Sequence, residues 1–166
     1  MTASLLTRMP ISVREWRMRL TDLCHRSAMA EAQDEGTMLR MGYHLLSRLP
    51  DKDSLLADHL PPEARFDTWL AAGTHDSAAL ALIPETGSFL LSRNGDGTCL
   101  ASVMLPGLDE EMTSEGTTPA LALVSALAAA LATVDVHGQA GDAEATHTVD
   151  VAREELWRTP SGIALH

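Results

Sequence analysis

His137, Asp142, Glu144, His147 and Asp150 fall within one short stretch near the C-terminal end, and imidazole and carboxylate groups are the side chains that hold zinc and related divalent ions. Held rigidly, such a set would serve a metal-dependent enzyme. The intervening run, His137-Gly138-Gln139-Ala140-Gly141-Asp142-Ala143-Glu144-Ala145, has the composition of a flexible linker, so a polar loop is the preferred reading and no metal or cofactor is expected. Asn94-Gly95-Asp96-Gly97 has the opening of a calcium loop but not its closing Glu, and reads as a turn. Cys99 follows that turn with no base near it in sequence, at an alternating strand position that suits a small buried hydrophobe. His75-Asp76 reads as a turn pair. The chain carries no G-x-S-x-G elbow, Walker loop, Rossmann glycine fingerprint or H-E-x-x-H, and the expectation is a protein without catalytic residues.

Net charge narrows the partners. At −11 over 166 residues, the chain would repel phosphates rather than displace their counterions, which argues against nonspecific nucleic-acid binding. The imbalance is uneven: Met1 to Arg48 carries seven Arg against five acids, while the remainder carries five basic residues against eighteen acids. Arg14, Arg17, Arg19 and Arg26 form the only basic patch, interrupted by Glu15 and Asp22. Cys24 and Cys99 form no C-x-x-C pair, the N-terminus lacks a signal-peptide pattern, and the one long uncharged run is too short and too rich in Ala to span a bilayer. A cytoplasmic protein with no membrane contact is expected.

That uncharged run, Thr117 to Val134, is the element around which the rest is organised. Thr118 suits the N-cap and Pro119 the first helical position, and Ala and Leu carry the helix onward. Ala120, Val124, Leu127, Leu131 and Val134 line one face, yet Leu123, Ala126 and Ala130 leave the opposite side apolar as well. A helix apolar all round belongs in a core or an interface. Val124, Leu127 and Leu131, with Trp157 in the C-terminal segment, are therefore the candidate interaction residues, for a protein partner or a homodimer.

The N-terminal third reads as helical. Ser12 caps a helix, with Glu15 at the reciprocal position and Ile11 placed to staple onto Trp16; Val13, Trp16, Leu20, Leu23 and Cys24 keep helical spacing. After a break at Gln33 to Gly36, Met38, Met41, Gly42, Leu45, Leu46 and Leu49 mark a second helix that Pro50 ends. Asp53 caps a short helix running to His59, and Pro61-Pro62 starts another that carries Phe66, Trp69 and Leu70 before Gly73. From Ser77 the period becomes alternating. Ala78 to Ile83, Ser88 to Arg93 and Thr98 to Leu105 read as strands of an antiparallel meander, with turns at Pro84 to Gly87 and Asn94 to Gly97. Leu108 to Gly116 reads as an exposed acidic connection, and Val149 to Trp157 as a last short helix. The expected architecture is α+β: a single domain over 1–136, helical over 1–73 and a meander plus Ala/Leu-rich helix over 77–134, followed by a flexible linker and C-terminal segment over 137–166.

Ser77-Ala78-Ala79-Leu80-Ala81-Leu82-Ile83-Pro84-Glu85-Thr86-Gly87, a hairpin, and Gly116-Thr117-Thr118-Pro119-Ala120-Leu121-Ala122-Leu123 together resemble the phage ABA sandwich domain of uncharacterised phage and prophage proteins. The resemblance covers about a third of the chain, residues 77–134, and implies a strand, a meander and an Ala-rich helix without implying an activity. Ala78 to Arg93 is also similar to the late strands of class I type III secretion chaperones, small acidic dimers. Those begin with one helix followed at once by strands, whereas this chain has several helices first. The reading is thus an acidic, non-catalytic protein-interaction module of phage or prophage type. A secretion-chaperone-like dimer, and a metal-dependent enzyme built on the His137–Asp150 span, are the alternatives.

Overall fold

The computed structural model describes residues 11–49 and 59–134. In chain order these form α1 (Val13–Met29), a 3-10 turn (Ala32–Asp34), α2 (Glu35–Leu46), α3 (Glu63–Ala71), α4 (His75–Leu80), β1 (Ser88–Arg93), β2 (Cys99–Met104), β3 (Met112–Gly116) and α5 (Pro119–Thr133). The fold is α+β, with one antiparallel sheet in the order β1-β2-β3. The expected helix from Asp53, the linker, and the segment carrying His137, Asp142, Glu144, His147, Asp150 and Trp157 lie outside the described residues.

Capping chemistry places the helix starts where the sequence puts them. Ser12 Oγ accepts the Glu15 N–H at 3.2 Å, and the Glu15 carboxylate pairs with Arg19 at 2.6 Å instead of reaching back to close the box. Thr118 Oγ1 accepts the Leu121 N–H at 3.3 Å, with Pro119 at the first helical position. Gly73, at φ 71°, ends the α3 segment in the left-handed region.

Helix α5 sits at the centre. β2 and β3 pack on one side, and α1, α2 and α4 enclose the remainder. Eleven of its fifteen residues, Val124, Leu127 and Leu131 among them, are buried. Each buried Leu contributes about 2 kcal/mol of apolar transfer. Leu20 and Leu23 of α1, Gly42 and Leu46 of α2, and Leu82 meet Val124, Leu127 and Leu131 in this core.

Polar ties lock the helices in register. The Trp16 indole N–H donates to Leu45 O at 2.9 Å, using a carbonyl in the last turn of α2. Arg17 Nη2 donates to Val134 O at 2.7 Å, past the end of α5. Ser125, fully buried on α5, donates its hydroxyl to Cys24 O at 2.8 Å, so the Ser114 hydroxyl, 2.6 Å away, donates to Ser125 Oγ. One buried side chain thereby joins α1, β3 and α5.

Two sequence expectations are corrected. Residues 75–80 form α4, not the first strand: Ala78, Ala79 and Leu82 are buried, a helical spacing, while Leu80 is exposed. Ala and Leu favour helix over strand, and the apparent alternation of leucines was carried by too few residues to override that. The expected acidic connection instead contains β3, which completes the three-stranded sheet from the other side of β2.

Candidate interaction surface

β1 is the strand that the fold leaves uncovered. It is joined to β2 by the Asn94–Gly97 loop, in which Gly97 N–H donates to Asn94 O (3.0 Å), Asn94 N–H donates to Thr98 O (2.8 Å), and Gly97 takes φ 93°. This is a type I turn followed by a glycine bulge, a common three-residue hairpin connection. Thr98 N–H donates to Asp96 Oδ1 at 2.9 Å, and this bond, together with one from the Thr98 hydroxyl, holds the Asp96 carboxyl below its ordinary value of 3.8.

The hairpin fixes which backbone groups face outward. Since Asn94 and Thr98 are a hydrogen-bonded pair, the alternation of an antiparallel ladder makes Ser92, Leu90 and Ser88 the residues bonded to β2. The N–H and C=O groups of Phe89, Leu91 and Arg93 therefore point to the free edge. In register, Phe89 lies opposite Val103 and Leu91 opposite Ala101, so both share the face on which β2 buries Cys99, Ala101 and Val103. Helix α5 packs chiefly on β2 and β3.

All six residues of β1 are exposed. Phe89 is 49%, Leu90 65% and Leu91 39% exposed, and Met104, opposite Ser88 on β2, is 39% exposed. β1 carries one charged residue, Arg93, at its turn end, and no Pro; its apolar run from Phe89 to Leu91 is an open template for another strand, which folded proteins normally blunt. The other edge is blunted: β3 carries exposed Glu115 and follows Asp109-Glu110-Glu111.

A second group of side chains lines an open groove of about 530 Å³ between α2, α3 and α4. Arg40 pairs with Asp67 at 2.5 Å, tying α2 to α3, and His75 Nδ1 bonds Glu35 Oε2, tying α4 to α2. His75 thus engages Glu35, forty residues away, and not Asp76. His75 Nε2 lies over Gly36, where a Cβ would stand 3.7 Å from it. These pairs work as struts between helices.

The remaining sequence candidates are accounted for by position. Val124, Leu127 and Leu131 are used up within the protein's own core, so among the described residues it is β1, not α5, that presents a run of apolar side chains to a partner. Cys99 is buried on β2. His137, Asp142, Glu144, His147 and Trp157 lie outside the described residues; among the described residues no three His, Cys, Asp or Glu side chains are placed to hold a metal ion. No described helix is long and apolar enough to cross a membrane. The strand from Ser88 to Arg93 was legible in sequence, but the exposure of Phe89 and Leu91 depends on which strands the helices cover, which no local pattern encodes. No family model matches the chain, nor does any curated protein or any solved structure.

Proposed function

We propose that the chain is a non-catalytic protein-interaction module that accepts an extended segment of a partner protein onto the free edge of β1. The observation that carries this reading is the edge itself: six exposed residues, outward backbone groups at Phe89, Leu91 and Arg93, and apolar side chains on both faces. Strand addition takes its affinity from main-chain hydrogen bonds and its selectivity from alternate side chains, and both sources are present here. The acidic character of the chain, −11 overall, disfavours nucleic acid. A phage or prophage setting is part of this reading through the resemblance of residues 77–134 to the phage ABA sandwich domain, whose Ala-rich helix has its counterpart in α5 and whose first strand has none; work in the cytoplasm is part of it through the absence of a C-x-x-C pair and of a signal-peptide pattern.

The test is selection of a random peptide display library on the full chain, with Leu90→Lys as the counter-selected variant. Enrichment of peptides with alternating apolar residues, lost on Leu90→Lys, is expected. No enrichment, or enrichment indifferent to that change, would remove β1 as the site.

A further inference from the structure

We infer that the strand which β1 accepts is β1 of a second copy of this chain, paired antiparallel across a two-fold axis at Leu90; this rests on the reading of β1 as an open edge. A two-fold axis perpendicular to the sheet keeps the inner faces of both copies on one side, so only residues of like parity can stand opposite each other. Phe89 and Leu91, which point their backbone groups outward, must also meet as hydrogen-bonded partners. Centring the axis on Leu90 meets both conditions. Phe89 then faces Leu91 of the second copy, Leu91 faces its Phe89, Leu90 faces its own counterpart, and Ser88 faces Ser92.

From Ser88 to Ser92, apolar residues meet apolar ones and serine meets serine. Aromatic-to-aliphatic and aliphatic pairs are the cross-strand contacts that stabilise sheets. Moving the register by two, to centre on Leu91, sets Phe89 against Arg93 and Leu90 against Ser92. Charge also favours the first register: Arg93, the only charged residue of β1, then faces Gly87, next to the exposed turn that carries Glu85, and the two Arg93 side chains lie at opposite ends of the pair.

The area on offer bounds the interface. The exposed parts of β1 and Met104 amount to on the order of 500 Å² per copy, so even complete burial would give about 1,000 Å² in total, the size of a weak, transient interface. A dimer that dissociates in the micromolar range is expected, and the −11 charge on each copy opposes tighter association.

Sedimentation velocity on the full chain, from about 1 to about 100 µM, tests this. The unmodified protein should pass from monomer to dimer across that range. Leu90→Lys and Leu90→Glu, changes at a side chain 65% exposed, should each remain monomeric, because each sets like charges opposite one another at the axis. An equimolar mixture of the two should dimerise again. Restoration in the mixture is specific to a register in which position 90 faces itself, and circular dichroism on each variant confirms that it is folded. A protein that stays monomeric throughout, a dimer that either single variant retains, or a mixture that fails to associate would each overturn the inference. A monomer that still selects extended peptides through Leu90 leaves the open-edge reading standing without self-association, whereas one that selects none removes both.

Discussion

Gly116, the last residue of β3, lies against the backbone of Ala122 in the first turn of α5: a Cβ on Gly116 would stand 2.5 Å from Ala122 N and 3.0 Å from its Cα. Neither atom can move without shifting the helix. Gly116 is therefore required for space, since its φ is not positive, and it sets how closely the sheet approaches the central helix. Gly116→Ala should cost about 2–3 kcal/mol by overpacking and lower Tm by ~10 °C. A thermal melt within a degree or two of the parent would show that the sheet and α5 can separate freely at this point.

Gly42, inside α2, should behave in the opposite way. Its added Cβ would meet Leu82 Cδ1 at 3.2 Å, the far end of a flexible side chain, beside a residual gap lined by Leu23, Leu82 and Val124. The methyl has room to give. An alanine in a helix interior is favoured over glycine by about 1 kcal/mol, so Gly42→Ala should raise stability by about 0.5–1 kcal/mol in urea unfolding, with an unchanged m-value. A loss of stability would mean that Leu82 is held more rigidly than its surroundings suggest.

Ser125 should be the costliest polar residue to remove. Its hydroxyl donates to Cys24 O and accepts from Ser114, all within the layer where α1, β3 and α5 meet. Ser125→Ala leaves the Ser114 hydroxyl without its acceptor and should cost about 1–3 kcal/mol. Removing both serines should cost less than the sum of the two single changes, by about 1 kcal/mol in a double-mutant cycle. Strict additivity would mean that the two hydroxyls do not depend on each other.

These residues also mark what the sequence could and could not say. The caps at Ser12 and Thr118, the buried α5 and the Asn94–Gly97 turn are local chemistry, and they stand where the residues indicate. β3 was hidden for a physical reason. Its inward positions, Met112, Ser114 and Gly116, become progressively smaller where α5 presses on the strand, so the hydrophobic alternation that betrays a strand is missing. Helix α4 is too short to display a period, and its single exposed Leu80 mimics alternation. The Glu35–His75 strut joins residues forty positions apart, and no spacing rule links them. β1 was legible as a strand, but not as an open edge, because its exposure follows from which strands the helices cover.

The last prediction concerns pH and the turn that orients that edge. Asp96 is fully exposed, and its carboxyl is held below 3.8 first by the Thr98 N–H and then by the Thr98 hydroxyl. A carboxyl lowered in the folded state lends stability that is complete above its unfolded value and is lost as pH falls through the folded value. The stability difference between the parent protein and Asp96→Ala should therefore be constant at neutral pH and shrink only below about pH 4. In an NMR titration, the Asp96 carboxyl should titrate below 3.8, and the Thr98 amide shift should follow the same curve. A carboxyl midpoint at or above 3.8, or a Thr98 amide that does not respond, would show that this bond does not hold the turn. The outward phase of Phe89 and Leu91 would then have to be set by the β1–β2 ladder alone.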